Sequence, residues 1–181
     1  LNKELYKKFF LTVEEIQAIR EGYIYIHDMS ARRDTMNCCL FDVKNVLSGG
    51  FEMGNLWYNE PKTLDTAFDV IGDIVLSAAS QQYGGFTVPS VDEILEPYAE
   101  KSHKKLIEKY RGLGLDEETV QKVAWADLEK EMEQGFQGWE YKFNSVSSSR
   151  GDYPFITVTA GTRTSIYGKL ATIKMLEVRK N

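Results

Sequence analysis

Cysteine is scarce in this chain: two residues in 181, and they are neighbours, Cys38-Cys39. Adjacent cysteines rarely close a disulfide on each other, because the ring strains the peptide between them. Two thiols without a neighbouring His/Cys set do not build a structural zinc site either, so no metal site is expected. These thiols are therefore core residues or chemistry. Positive charge is also in deficit: 22 Lys+Arg against 27 Asp+Glu leave a net charge of −5, so no global field gathers nucleic acid or an anionic membrane. Long apolar runs are missing. The longest mainly apolar stretch, residues 71–79, contains Asp73 and is too short to span a bilayer. Lys3, Glu4, Lys7 and Lys8 break up the opening, which excludes a signal-peptide pattern and makes a soluble, cytoplasmic protein the expectation. Neither Gly-x-x-x-x-Gly-Lys-Ser/Thr nor Gly-x-Gly-x-x-Gly is present, which disfavours an NTPase or Rossmann site. No repeat, catalytic triad, paired-carboxylate or His-rich pattern stands out.

What is present is an ordinary globular mixture, 43% hydrophobic and 27% charged, of one domain's length. The chain opens at Leu1 and stops at Asn181 inside a helical pattern that lacks a glycine cap, which reads as a piece of something longer. Thr12-Val13-Glu14-Glu15 forms a capping box, and Val13, Ile16 and Ile19 predict a short helix ending at Gly22. Tyr23-Ile24-Tyr25-Ile26 has the makeup of a strand. Cys38-Cys39-Leu40-Phe41 resembles a strand buried on both faces. Gly49-Gly50 and Gly54-Asn55 mark a loop around Phe51. Apolar stripes predict helices over residues 64–81, stopped by Gly84-Gly85, and 91–110, opened by a second capping box, Ser90-Val91-Asp92-Glu93. A helix over 117–144 follows the N-cap Asp116, with Gly135 and Gly138 as weak points. Phe86-Thr87-Val88 and residues 155–159 read as strands, and 166–178 as a final helix. Alternating strands and helices favour an α/β arrangement with parallel, buried strands. Four short strands cannot close a barrel, since even a small one uses about eight.

Each candidate site residue has a plainer reading beside the functional one. Cysteine commonly fills cores, so Cys38 and Cys39 are either packing or a nucleophile, hydrogen donor or redox pair; strand alternation lets one of the two face any given site. His27-Asp28 follows a strand, where α/β folds keep their sites, and equally fits a turn with a hydrogen-bonded histidine. His103, among lysines, reads as solvated surface. Arg32-Arg33 and the glycine pairs suit phosphate, although a double glycine after a helix is ordinarily its stop. Lys101, Lys104, Lys105 and Lys109 with Arg111, interleaved with Glu100 and Glu108, read as a solvated helix face.

Taken together, Gly22-Tyr23-Ile24-Tyr25-Ile26-His27-Asp28, Asn37-Cys38-Cys39-Leu40-Phe41-Asp42, Ser80-Gln81-Gln82-Tyr83-Gly84-Gly85 and Pro154-Phe155-Ile156-Thr157-Val158 resemble the anaerobic (class III) ribonucleoside-triphosphate reductases, over nearly the whole chain and in order. The resemblance implies a ten-stranded α/β barrel, helix-rich and incomplete here, with residues 1–181 a fragment of its first half. It implies an oxidoreductase that makes deoxyribonucleotides by glycyl/thiyl radical chemistry, with a structural zinc, ATP/dNTP effectors, a radical-SAM activating enzyme and a homodimer in the full-length protein.

The cysteine pair matches an early barrel strand whose thiol serves as hydrogen donor when the 2′ hydroxyl is lost. Set against the Ser-Ser-Cys-Val-Leu strand of the aerobic reductases, Cys38 takes the reactive position and Cys39 that of the valine; Cys39 stays the alternative. Asn37, Cys39, Gln81, Gly84, Gly85 and His27 would border substrate. The helices over 64–81 and 91–110 are candidates for the effector site, with Lys104 and Lys105 as phosphate partners. No further cysteine is present to carry the thiyl radical, so the isolated chain is expected to be inactive. The competing expectation is a nucleotide-effector or dimerisation module with both cysteines buried and inert.

Overall fold

A computed structural model describes residues 2–27, 29, 38–82, 84–147, 153 and 155–180. Two helices open the chain, α1 (Asn2–Phe10) and α2 (Val13–Arg20). The capping box at α2 forms as expected: Thr12 Oγ1 accepts the Glu15 N–H at 3.2 Å, and Glu15 Oε2 accepts the Thr12 N–H at 2.7 Å. Neither helix buries a residue. Then follow β1 (Cys39–Leu40), α3 (Val43–Leu47), β2 (Phe51–Met53), β3 (Leu56–Tyr58), α4 (Leu64–Ala79), β4 (Gly85–Val88), α5 (Val91–Gly112), α6 (Glu117–Ser145), β5 (Phe155–Val158) and α7 (Ile166–Lys180). No helix among the described residues is long and apolar enough to cross a membrane.

Three strands form one parallel sheet in the order β1-β4-β5. Parallel strands need crossovers, and helices supply them: α4 links β1's side to β4, and α5 with α6 carries the chain from β4 to β5. The register sets Cys39 beside Phe86 and Phe86 beside Ile156. Helices α4 to α7 pack on one face of this sheet. Their core includes Leu64, Ile71 and Val75 of α4, Leu95 of α5, Leu128 and Met132 of α6, and Ala171 of α7, all fully or almost fully buried with Phe86 and Val88.

The α4–α6 seam explains a glycine. Phe68 meets Phe136 and Trp139 edge-on at 5.0 and 4.8 Å, and the Trp139 Nε1–H donates to the Phe68 carbonyl at 2.8 Å. A Cβ at Gly135 would lie 2.2 Å from the Phe68 ring, so α6 runs straight through a glycine that a ring fills. Gly135 is a packing residue rather than a weak point.

Several expectations give way. Residues 23–26 form no strand: the Tyr23 and Ile24 N–H groups both turn back to the Ala18 carbonyl, and Tyr23 and Tyr25 are exposed. Strand-forming side chains without a neighbouring strand have nothing to pair with. The expected loop around Phe51 is a hairpin, with Phe51 stacked on Tyr58 at 5.2 Å and Gly54 (φ +66°) turning the chain. Gly84-Gly85 does not stop α4, which ends at Ala79 with Ser80 as C-cap; Gly85 begins β4. The second capping box does not form. Ser90 has φ +51° and no side-chain cap, because its backbone N–H and that of Val91 are drawn to Thr159 Oγ1 and O, beyond the end of β5. Asp92, in the first turn of α5, is fully buried and accepts the Gly161 and Arg163 N–H groups at 3.1 and 2.7 Å, tying the connection after β5 to the start of α5. The strand at the cysteines is not buried on both faces, since Leu40 is 77% exposed. The described strands make an open three-stranded parallel sheet and a separate hairpin that do not close, in line with the expectation that so few strands cannot form a barrel alone.

Candidate active site

Alternation along the three strands gives the sheet two unlike faces. Cys39, Phe86 and Ile156 share the face under the helices, followed by Phe41, Val88 and Val158, all buried or packed against the core. The opposite face carries Leu40, Thr87 and Thr157 in one row, with Gly85 and Phe155 in the row before it. Leu40 and Phe155 are 77% and 76% exposed there, with no helix of the described residues over them. Cys38 sits one residue ahead of β1, in the row of Gly85 and Phe155. Its Sγ accepts the Gly85 N–H at 3.3 Å, and the residue is exposed. The expectation of two buried, inert thiols is therefore corrected: Cys39 is half-buried, Cys38 is not.

Gly85 does not owe its identity to crowding. A Cβ there would lie 3.9 Å from Cys38 Sγ and 4.0 Å from the Phe155 carbonyl, ordinary contact distances. The fold tolerates a side chain at this position, and the glycine leaves the open face bare beside the thiol.

The segment before β4 supplies a residue the sequence reading passed over. Gln82 is buried, and its Nε2 lies 2.6 Å from Cys39 Sγ. The sequence reading chose Gln81, which is exposed with its amide turned to Ser80 Oγ at 3.4 Å. Gly84 stands between this segment and β4. So the structure brings together Cys38, Cys39, Gln82 and Gly85. His27 is exposed beyond α2, its ring centroid 6.4 Å from that of Tyr25. Asn37, Asp28, Arg32, Arg33, Tyr83 and Pro154 lie outside the described residues.

Lys104 and Lys105 are exposed on α5, as expected. Lys104 donates to Glu100 at 2.6 Å, a bond that raises its pKa, and Lys105 lies within electrostatic reach of Asp65 and Glu131. Each lysine thus has carboxylates beside it. His103 overturns its reading as solvated surface: it is 7% exposed, its Nδ1 is 3.0 Å from Tyr167 Oη, and its ring meets Trp125 edge-on at 5.4 Å. Burial lowers its pKa. It joins α5, α6 and α7 on the covered side.

A cavity of about 450 Å³ opens between α6, β5 and α7, lined by Trp139, Ile156, Val158, Met175 and Arg179 among others, and includes neither cysteine. No group of three metal-ligating side chains occurs among the described residues. Among the described residues the implied zinc finds no donor set, because the two sulfurs are held from opposite sides of one strand by N–H donors. Chemically, the site offers one accessible thiol on a bare sheet face and one thiol held beneath it.

Comparison with known proteins follows the same lines. The family profile described as anaerobic ribonucleoside-triphosphate reductase matches residues 1–181. The chain is 36% identical to the protein of that name from Enterobacteria phage T4 over 151 residues, covering 82% of this chain and 25% of the phage protein. It is 34% identical to the Haemophilus influenzae protein of the same name over 179 residues, covering 98% of this chain and 25% of the relative. The chain thus spans a quarter of the length of these curated relatives. Among solved structures, the anaerobic ribonucleotide reductase from Thermotoga maritima in complex with dATP and CTP superposes with a TM-score of 0.63 at 18% identity, over 98% of this chain and 30% of that one. The same enzyme with dATP bound in the specificity site gives 0.63 at 17% identity. At that identity the likeness carries the fold.

Proposed function

Because the chain belongs to the anaerobic ribonucleoside-triphosphate reductase family, a family of oxidoreductases, we propose that it supplies the first strands of that enzyme's catalytic barrel, with Cys38 as the thiol that faces the ribose. One observation carries the reading: Cys38 is the cysteine on the uncovered face of the parallel sheet, beside Gly85, while Cys39 faces the helices. In the barrel reading the bare face of β1, β4 and β5 lines the interior, which accounts for apolar Leu40 and Phe155 standing exposed in these 181 residues.

On this reading the substrate is a ribonucleoside triphosphate, and Cys38 gives up its hydrogen as the 2′ hydroxyl is lost. The Thermotoga maritima relative is described with CTP and with dATP in its specificity site, which supports a nucleotide substrate and a dNTP effector for the whole protein here. Asn37, Gln81, Gly84 and His27 remain proposed neighbours of the substrate, and Lys104 and Lys105 proposed effector contacts. The glycyl radical that starts the reaction, its radical-SAM activating enzyme, the structural zinc and the homodimer belong to the whole enzyme in this proposal. The thiyl radical requires a cysteine other than these two, so the 181-residue chain is inactive alone. Anaerobic incubation with a ribonucleoside triphosphate, activating enzyme and reductant should yield no deoxynucleotide. Any deoxynucleotide formed would overturn the fragment reading.

A further inference from the structure

The run Cys38-Cys39-Leu40-Phe41 is apolar at every position, so alternation does not say which residues face the helices. Slipping β1 by one residue would put Cys38 and Leu40 under the helices and expose Cys39 and Phe41, exchanging one apolar pair for another. The strand is two residues long and lies at the edge of the sheet, with two residue pairs to β4, so the ladder alone is a weak guard against that slip. Phe41, 5.1 Å from Phe86 between ring centroids, and its N–H donated to the Thr87 carbonyl at 2.8 Å favour the observed register.

Gln82 and Gly85 address the two sulfurs. The backbone of Gln82 is tied to the last turn of α4 through its N–H to Ala79 O at 3.0 Å, and its buried side chain reaches Cys39 Sγ from the covered side. Three residues on, the Gly85 N–H reaches Cys38 Sγ. We propose that Gln82 is a positioning residue: its amide N–H selects Cys39 as the inward thiol, fixes the register of β1, and so determines that Cys38 is the thiol offered on the open face. The proposal rests on the reading of Cys38 as the working thiol. It is tested without turnover, so its failure and the failure of that reading are separable.

The experiment is site-resolved alkylation of the native chain with iodoacetamide, each sulfur quantified by fragment mass spectrometry. In the unmodified sequence Cys38 should react roughly tenfold or more faster than Cys39, since thiol reactivity follows access. Gln82→Met keeps the length and removes the donor; it should bring the two rates to within about threefold, and Gln82→His, which retains an N–H donor, should restore the preference. General loosening would raise both rates together, so the ratio reports positioning rather than stability. Leu128→Ala, in α6 away from β1, serves as that control, lowering the melting midpoint while Cys38 stays the faster thiol. Equal rates in the unmodified chain overturn the proposal, and this measurement stands even if a variant fails to fold. A Gln82→Met chain that retains its helical circular dichroism and its full preference for Cys38 also overturns it.

Discussion

The two faces of the three-stranded sheet differ in what holds them. Under the helices, Phe86 and Val88 are at 0% and 1% exposure, and Cys39, Phe41, Ile156 and Val158 pack beside them. On the other face Leu40 and Phe155 stand in the open with Thr87 and Thr157 around them. The same strands are thus structural on one side and available on the other. Two adjacent cysteines fall on opposite sides of that division, which is why identical side chains one residue apart are assigned unlike roles.

The contrast can be broken most severely from the covered side. Phe86→Ala should cost about 3–5 kcal/mol, the range for emptying an aromatic site in a packed core, whereas Leu40→Ala on the same sheet's open face should change stability by less than about 0.5 kcal/mol in this chain. Denaturant melts of the two variants check this, and equal losses would erase the distinction between the faces.

A smaller effect sharpens the comparison from the helix layer. His103 is buried with its pKa lowered by desolvation, so the unfolded chain binds a proton near the ordinary value of 6.5 that the folded chain resists. Between those two pKa values the unfolded state holds more protons, and stability falls as pH falls below about 6.5. His103→Gln should flatten the dependence of the melting midpoint between pH 7 and pH 5 without altering the open face. A slope unchanged by the substitution would show that His103 titrates freely.

Helices α2 and α4 to α7 were legible in the sequence from an apolar stripe or a cap signal, whereas α1 and α3 were not anticipated. Leu64, Ala67, Phe68, Ile71 and Val75 mark α4, and Asp116 caps α6 through its accepted Thr119 N–H. Misreadings came where a distant partner decides. Ser90 is positioned by Thr159, and Tyr23 to Ile26 have strand composition but pair with no strand among the described residues. His103 was legible in principle: Leu95, Ala99 and Ser102 are buried, and the helical spacing carries that stripe onto His103, yet the neighbouring lysines suggested solvent.

The cysteine pair was recognisable in the sequence through its resemblance to a family strand, and alternation already required the two thiols to part. Which of them faces the helices depends on Gln82, a contact spanning 43 residues that no local pattern encodes. Gly85, expected to border substrate, stands beside Cys38.

The central claim is that the open-face cysteine does the chemistry and its neighbour does not. Deoxynucleotide formation by the complete, activated reductase carrying either Cys38→Ser or Cys39→Ala tests it most directly. Loss of product with Cys38→Ser, by a factor on the order of a thousand or more, alongside at most a several-fold change with Cys39→Ala, is the expected result. Undiminished product from Cys38→Ser, or loss confined to Cys39→Ala, would contradict it.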